Sequence, residues 1–159
     1  MNRESNFVLV LHNIRSAYNV GAILRTADAA GVYKAYLTGY TPTPLDRFGR
    51  ERKDVAKAAL GAEKSVSWEQ RPSLSDAIAH LRDEGFHIVA LEQAENSIDY
   101  KEFKPKEKTV LIVGEERYGI TKDILDQCDT IIEIPMRGQK ESLNVSVATG
   151  IALFRILNI

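Results

Sequence analysis

The segment 109–113 constrains the fold of this chain more than any other. Threonine is followed there by Val110, Leu111, Ile112 and Val113, an uninterrupted apolar run. A strand with this composition is buried on both faces, which is typical of a parallel sheet covered by helices on each side. The segment therefore predicts a strand at the centre of an α/β protein.

The rest of the chain alternates between strand-like apolar runs and helical patterns. Strands are predicted over residues 7–11, 35–37, 64–68, 86–91, 109–113 and 131–134. Helices are predicted over residues 21–31, 53–60 and 73–85, after residue 121, and from Ser142 or Asn144 onward. Residues 92–108 are expected to form a surface connection with one short turn. This order predicts an α/β fold, with a mostly parallel sheet flanked by helices, in one domain spanning 1–159.

Composition excludes several classes of protein. The single cysteine, Cys128, cannot form an internal disulfide, and the three histidines lack the spacing of metal ligands. No apolar run approaches the roughly 20 residues that span a bilayer, and the first residues do not resemble a signal peptide. We therefore expect a cytoplasmic protein with no metal and no membrane contact.

The final helix is apolar around much of its circumference. One side carries Leu143, Val147, Ile151 and Phe154, and another carries Val145, Ala148, Ala152 and Ile156. Such a helix must be covered on more than one side, either within its own core or by a second subunit. Because complete burial within one chain is unusual for a C-terminal helix, the pattern favours a homodimer.

The segment 19–31 reads Asn-Val-Gly-Ala-Ile-Leu-Arg-Thr-Ala-Asp-Ala-Ala-Gly and is predicted to form a strand-to-helix turn and its helix. Gly21 would let a ligand approach the backbone closely, and a helix N-terminus favours phosphate. An ordinary turn explains the same residues, with Arg25 as a surface arginine that pairs with Asp28.

Two later segments follow predicted strands. Residues 114–119, Gly-Glu-Glu-Arg-Tyr-Gly, lie where open α/β sheets place their ligands. They match neither a dinucleotide fingerprint nor a P-loop, which argues against a nucleotide-dependent dehydrogenase. Residues 134–138, Ile-Pro-Met-Arg-Gly, end the last strand, and 142–148, Ser-Leu-Asn-Val-Ser-Val-Ala, begin the final helix with natural caps at Ser142 and Asn144. A polar loop and a helix start explain each segment alone.

Taken in this order, the segments resemble the three motifs of the SpoU/TrmH family of SPOUT RNA methyltransferases. The resemblance implies an α/β fold with a C-terminal trefoil knot. Many family members carry an extra N-terminal RNA-binding domain or flanking helices, whereas this chain is expected to be a catalytic domain without a separate RNA-binding domain. The resemblance also implies that S-adenosyl-L-methionine methylates a ribose 2′-hydroxyl of tRNA or rRNA, in a homodimer with its active site at the subunit interface. The alternative is a knotted RNA-binding or assembly protein that has lost catalysis.

The resemblance also assigns roles to residues. Arg25, from the partner subunit, contacts the reacting nucleotide and is the proposed base, although a guanidinium keeps its proton at neutral pH and is better suited to bind phosphate and orient the hydroxyl. The catalytic group is completed by Asn19, Glu116, Ser142 and Asn144. The cofactor-binding residues are Gly114, Glu115, Gly119, Ile134, Met136, Gly138, Ser142 and Leu143. Family members often have asparagine in place of Glu115.

The formal net charge of −1 provides no general attraction for RNA. A local basic patch would be needed, and the candidate RNA-binding residues are Arg15, Arg47, Arg50, Arg52 and Lys57, with Arg3 as a further candidate. A solvated helix face that also contains Glu51 and Asp54 is the alternative interpretation of this stretch.

Overall fold

The computed structural model describes residues 6–159. The strands are β1 (Phe7–His12), β2 (Lys34–Thr38), β3 (Ser67–Arg71), β4 (His87–Leu91), β5 (Ile98–Asp99), β6 (Thr109–Val113) and β7 (Thr130–Glu133). The helices are α1 (Ala17–Ala30), α2 (Lys53–Ala59), α3 (Ala62–Ser65), α4 (Leu74–Asp83), α5 (Lys122–Leu125) and α6 (Val145–Leu157). Arg3 lies outside the described residues.

All described strands form one sheet, in the order β3-β2-β1-β6-β4-β7-β5. Every pairing between them is parallel. The carboxyl ends of the strands therefore share one edge of the sheet, where ligands of open α/β sheets bind. The predicted α/β class, with a parallel sheet flanked by helices, is confirmed.

The sheet separates two apolar cores, because successive side chains of each strand point to opposite faces. In β6, Leu111 and Val113 pack into the core that contains α1, α2, α3 and α6. Val110 and Ile112 pack into the core covered by α4 and α5. The central strand is buried throughout, as its composition predicts.

Two parts of the sequence-based strand assignment are wrong. Residues 64–68 alternate like a strand, but α3 continues to Ser65 and β3 begins only at Ser67. Five residues with two apolar positions cannot distinguish a helix end from a strand start. The connection 92–108 contains the short edge strand β5, which pairs with β7.

Helix α6 has one buried and one exposed apolar side. Ala152, Leu153 and Ile156 lie in the core, whereas Val147 is 50% and Ile151 38% exposed. The apolar residues therefore cover more of the helix surface than its own chain buries. Within residues 6–159, none of the helices has both the length and the apolar character needed to cross a membrane.

Candidate active site

A cleft of about 290 Å³ opens at the carboxyl edge of the sheet. It lies where β6, β4 and β7 end side by side, and the loop before α6 closes it. Its walls consist of Leu91, Glu92, Gln93, Val113, Gly114, Glu115, Glu116, Arg117, Tyr118, Gly119, Glu133, Ile134, Met136, Glu141, Ser142, Leu143, Val145 and Ala148. Two of the three sequence motifs thus meet in one concave site.

Glu116 joins the loop after β6 to the start of α1. Its Oε2 accepts a hydrogen bond from the Arg15 backbone N–H at 3.0 Å, and its Oε1 accepts one from the Ser16 N–H at 3.2 Å. These donors lie at the N-terminus of α1, where the helix dipole favours an anion. The phosphate site suggested by the sequence is therefore occupied by a carboxylate of the same chain.

Asn19 continues this contact toward α6. Its Nδ2 donates to Glu116 Oε1 at 3.0 Å, and its Oδ1 accepts from Asn144 Nδ2 at 3.2 Å. Asn144 is the N-cap of α6, since its Oδ1 accepts from the N–H groups of Ser146 and Val147. One row of hydrogen bonds therefore connects all three motifs. In the part of the chain that the structure describes, Ser142 caps no helix.

The pKa of the Glu116 carboxyl lies below its ordinary value. Partial burial acts to raise this pKa, but the hydrogen bonds donated by Arg15, Asn19 and Ser16 outweigh burial. The side chain is therefore a carboxylate at neutral pH, so it can only accept hydrogen bonds.

Two glycines shape the loop after β6. A Cβ at Gly114 would lie 2.5 Å from Ile120 Cγ1, and Gly119 has φ of 68°. A Cβ at Gly119 would also meet the carboxylate of Glu92, whose Oε2 accepts from the Ile120 N–H at 2.9 Å. The loop therefore depends on Glu92, a residue that the sequence analysis placed in a surface connection.

Gly21 has a different role from the one the sequence suggested. It lies inside α1, which begins at Ala17 behind the Ser16 cap. A Cβ at this position would lie 2.5 Å from the Val55 carbonyl oxygen and 2.7 Å from the Ala58 Cβ. The absence of a side chain therefore lets α2 approach α1, and no ligand is needed to explain it.

Glu115 is buried beneath the same loop. Its Oε2 accepts a hydrogen bond from the Tyr118 N–H. Among the residues that the structure describes, none donates a hydrogen bond to its Oε1. Glu115 therefore closes the loop through one oxygen and leaves the other unsatisfied next to the cleft.

The cleft is strongly acidic. Its described lining contains the carboxylates of Glu92, Glu115, Glu116, Glu133 and Glu141, against the single guanidinium of Arg117. Such a site favours a cationic ligand and disfavours a phosphorylated one. No group of three His, Cys, Asp or Glu side chains within residues 6–159 has the geometry to hold a metal ion.

Most residues assigned to the site from sequence come together. The cleft wall includes Gly114, Glu115, Glu116, Gly119, Ile134, Met136, Ser142 and Leu143. Asn19 is hydrogen-bonded both to Glu116 and to Asn144. Arg25 and Gly138 do not line the cleft of the described chain. The side chain of Arg25 is exposed. Asp28 Oδ1 accepts a hydrogen bond from the Ser65 hydroxyl instead of pairing with Arg25.

Several residues of the wall were not predicted from the sequence, among them Glu92, Glu133 and Glu141. Glu92 follows the last residue of β4, and Glu133 is the last residue of β7. A rule that examines the first polar residue after every buried strand would have found Glu92. Glu141 lies in a loop that offers no such signal.

The suggested basic patch is partly neutralised by neighbouring carboxylates. Arg50 pairs with Asp46 at 3.2 Å, and Arg52 pairs with Asp54 at 2.6 Å. Arg47 and Lys57 are exposed and form no ion pair with another described residue.

Comparisons with known proteins identify the family of this chain. The SpoU rRNA Methylase family model matches residues 6–154. The tRNA (guanosine(18)-2′-O)-methyltransferase of Escherichia coli (strain K12) is 33% identical over 152 residues, 96% of this chain and 63% of the relative. The chain therefore spans less than two thirds of that relative's length.

Two crystal structures share the fold. That of the A. aeolicus TrmH/SpoU tRNA modifying enzyme has a TM-score of 0.84 and 32% identity, covering 98% of this chain and 76% of the other. That of the AdoMet-bound rRNA methyltransferase from Sinorhizobium meliloti has a TM-score of 0.85 and 30% identity, covering 94% and 55%. This chain belongs to the SpoU rRNA Methylase family.

Proposed function

We propose that this protein transfers a methyl group from S-adenosyl-L-methionine to a ribose 2′-hydroxyl of tRNA or rRNA. The observation that carries the proposal is the hydrogen-bonded row Glu116–Asn19–Asn144 beside the cleft. It connects the same three motifs on which the family resemblance rests. The relatives named above are a tRNA 2′-O-methyltransferase, a tRNA modifying enzyme and an AdoMet-bound rRNA methyltransferase.

The charge of the cleft supports this cofactor. S-adenosylmethionine carries a sulfonium, an ammonium and a carboxylate, and is therefore a net cation without phosphate. The five glutamates of the wall suit such a molecule, whereas they would repel a phosphorylated cofactor. Ile134, Met136 and Leu143 provide apolar surface for the adenine base.

The unsatisfied atom beside the cleft also fits this group. Glu115 Oε1 lacks a partner within the described chain, and a hydrogen-bond donor such as the ammonium or a hydroxyl of the cofactor is the kind of group that would satisfy it. Gly114 and Gly119 let that loop pack closely beside the cleft, because a Cβ at either position would meet Ile120 or Glu92. A Cβ at Gly138 would meet no described atom within 4 Å, so the loop before α6 leaves open space at this position.

When bound, the cofactor would supply a methyl group activated by its sulfonium: the sulfur–methyl bond would break to leave the thioether S-adenosylhomocysteine, an oxygen–methyl bond would form, and the hydroxyl proton would pass to water. The protein must mainly align the hydroxyl, and alignment can lower a barrier by roughly 7–11 kcal/mol in good cases. Glu116, Asn19 and Asn144 hold the floor of the site in place. Arg25 binds the adjacent phosphate and orients the hydroxyl, because a guanidinium remains protonated at neutral pH.

The position of Arg25 requires a second subunit in this proposal. Its side chain is exposed on α1 and does not line the cleft of its own described chain. The next residue, Thr26, approaches Gly150 of α6, so Arg25 borders the helix that carries the exposed Val147 and Ile151. A homodimer formed through this surface would cover the apolar side of α6 and place Arg25 at the subunit boundary.

Three further expectations remain part of the proposal. The family resemblance supports a trefoil knot formed by the C-terminal segment. It also supports a single catalytic domain over residues 1–159 that contacts RNA through Arg15, Arg47, Arg50, Arg52 and Lys57. The RNA-modifying relatives support action in the cytoplasm, where tRNA and rRNA are available.

The test is transfer of labelled methyl from S-adenosylmethionine to unmodified tRNA and rRNA, with analysis of the product for alkali-resistant linkages. A methylated 2′-hydroxyl creates such linkages. Arg25→Ala should reduce transfer at least a hundredfold and leave cofactor binding within about twofold. Arg82→Ala is the control for loss of an arginine away from the cleft, since Arg82 lies in the last turn of α4 at the opposite edge of the sheet.

Resistant product that depends on Arg25 would establish the proposed reaction and identify the RNA class. Equal activity of Arg25→Ala would remove Arg25 from the mechanism. A chain that binds RNA, but neither binds the cofactor nor transfers methyl, would be the inactive RNA-binding or assembly protein instead.

A further inference from the structure

The loop between β2 and α2 presents an aromatic ring to solvent beside two guanidinium groups. Phe48 is 65% exposed. The Cζ of Arg47 lies 4.8 Å from the centroid of its ring, and the Cζ of Arg50 lies 4.9 Å from it. Burial does not explain a ring in this position, so its use must be sought in what it contacts outside the chain.

Asp46 gives this loop a defined shape. Its Oδ1 accepts from the N–H groups of Phe48 at 2.8 Å and Arg50 at 2.9 Å, and its Oδ2 accepts from Arg50 Nε at 3.2 Å. Leu45 and Glu51 form an antiparallel bridge that closes the loop. The ring and its two arginines are therefore presented by an ordered turn.

The base of the loop is attached to the edge of the sheet that carries the cleft. Thr41 Oγ1 donates to the Leu11 carbonyl oxygen at 2.9 Å and accepts from the Ile14 N–H at 3.1 Å. Ile14 directly precedes Arg15, whose N–H binds Glu116. The loop therefore lies on the same side of the molecule as the proposed reaction.

We infer that Phe48, Arg47 and Arg50 form a stacking site for an unpaired RNA base near the cleft, an inference that rests on the proposed function. Aromatic rings bind unstacked bases through their faces, and nearby cations bind the phosphates on either side. Because Arg50 also pairs with Asp46, Arg47 is the phosphate contact. The site selects unpaired nucleotides, since bases in a duplex do not expose their faces.

The chemistry of the loop favours RNA over a protein partner. The apolar surface is one ring wide and is bordered by charges, whereas the centres of protein interfaces are depleted of charged residues. A duplex would use the arginines alone, because it offers phosphates but no free base face. The ring thus makes the loop specific for single-stranded segments.

The experiment measures binding of a fluorescein-labelled, mixed-sequence single-stranded RNA, and of a blunt RNA duplex of equal length, by anisotropy at several KCl concentrations. The variants are Phe48→Leu, Phe48→Trp and Arg47→Ala. Tyr33→Leu is the matched control, because Tyr33 is an aromatic residue, 51% exposed, that precedes β2 at the opposite edge of the sheet. Binding of S-adenosylhomocysteine and the oligomeric state are measured for each variant.

Phe48→Leu should weaken single-strand binding about fivefold or more, with an unchanged salt slope and unchanged duplex binding. Phe48→Trp and Tyr33→Leu should bind like the unaltered chain. Arg47→Ala should weaken both RNAs and lower the salt slope by about one.

Single-strand binding by Phe48→Leu within twofold of the unaltered chain would overturn the inference. Equal losses for single strand and duplex, or a changed oligomeric state, would also overturn it. Failure of the proposed function is separate from these results, because it would appear as absent cofactor binding and absent methyl transfer in the unaltered chain.

Discussion

The side chain of Asn144 donates from Nδ2 to Asn19 Oδ1 at 3.2 Å while its Oδ1 caps α6. One amide thus has two separable tasks: its oxygen starts the last helix, and its nitrogen fixes the orientation of Asn19. Asn19 in turn donates to Glu116, so the cap of α6 sets the position of the carboxylate at the start of α1.

Asn144→Asp and Asn144→Ala should separate these tasks. Aspartate keeps the cap but cannot donate to Asn19, so the free energy of unfolding should stay close to that of the unaltered chain while methyl transfer falls tenfold or more. Alanine should also lose about 0.5–2 kcal/mol of stability. Urea unfolding and methyl transfer measure the two effects. Full activity of Asn144→Asp would show that the bond to Asn19 is dispensable.

Glu116→Gln should change how stability depends on pH. Partial burial works against the carboxylate, but the donors of Arg15, Asn19 and Ser16 lower its pKa below the ordinary value of 4.5. The Glu116 carboxylate therefore contributes its full share of the free energy of unfolding above the unfolded-state pKa, and this share disappears as the pH falls through the folded-state pKa. The unaltered chain should exceed the variant by about 1.5–3 kcal/mol at pH 7.

Urea unfolding at pH 7 and at steps below pH 4.5 tests this expectation. The difference between the two proteins should shrink over the acid range. Glu141→Gln is the control, because Glu141 is an exposed carboxylate of the same cleft. A difference in the free energy of unfolding that stays constant down to the lowest pH measured would contradict the role given to the Glu116 charge.

Gly21→Ala should destabilise the protein through helix packing. The added carbon would meet the Val55 carbonyl oxygen and Ala58 Cβ, and forcing α2 away costs about 1–3 kcal/mol. Gly138→Ala should be nearly neutral in stability, since nothing lies within 4 Å of its added carbon. Thermal and urea unfolding compare the two variants. Equal stabilities would contradict the packing explanation.

Ile151→Asp should weaken subunit association. Ile151 lies on the exposed apolar side of α6, so a charge there should shift a homodimer toward monomers without unfolding the core. Leu60→Asp, at an exposed aliphatic residue outside α6, should leave the mass of the assembly unchanged. Light scattering after size exclusion over a range of concentrations gives the masses. A monomeric unaltered chain would refute the dimer.

Cys128 should react slowly with thiol reagents in the folded protein. Burial, with a smaller effect of Asp129, raises the pKa of this thiol to about 11. At pH 8 the thiolate fraction should therefore be about a hundredfold below that of an ordinary cysteine. The rate of reaction with an aromatic disulfide, with and without urea, measures this difference. Comparable rates in both conditions would contradict the burial of the thiol.

Local sequence determined the elements of this protein and the class of its fold. The apolar strand over 109–113 and the caps at Ser73 and Asn144 are visible as patterns of neighbouring residues. The motif order identified the family for the same reason, because each motif is a short string beside a strand or helix end. Such signals depend on residues a few positions apart, which is the range over which periodicity and capping act.

Only the tertiary structure decided how these elements contact one another. Glu116 binds Arg15 and Asn19, which lie about one hundred positions earlier, because the sheet places β6 beside β1. Gly21 has no side chain because α2, about thirty residues later in the chain, packs directly against it. Glu92, at the end of β4, accepts a hydrogen bond from the loop that follows the neighbouring strand β6. A pattern of neighbouring residues cannot predict these long-range contacts, since strand order and helix contacts arise only when the two apolar cores are packed together.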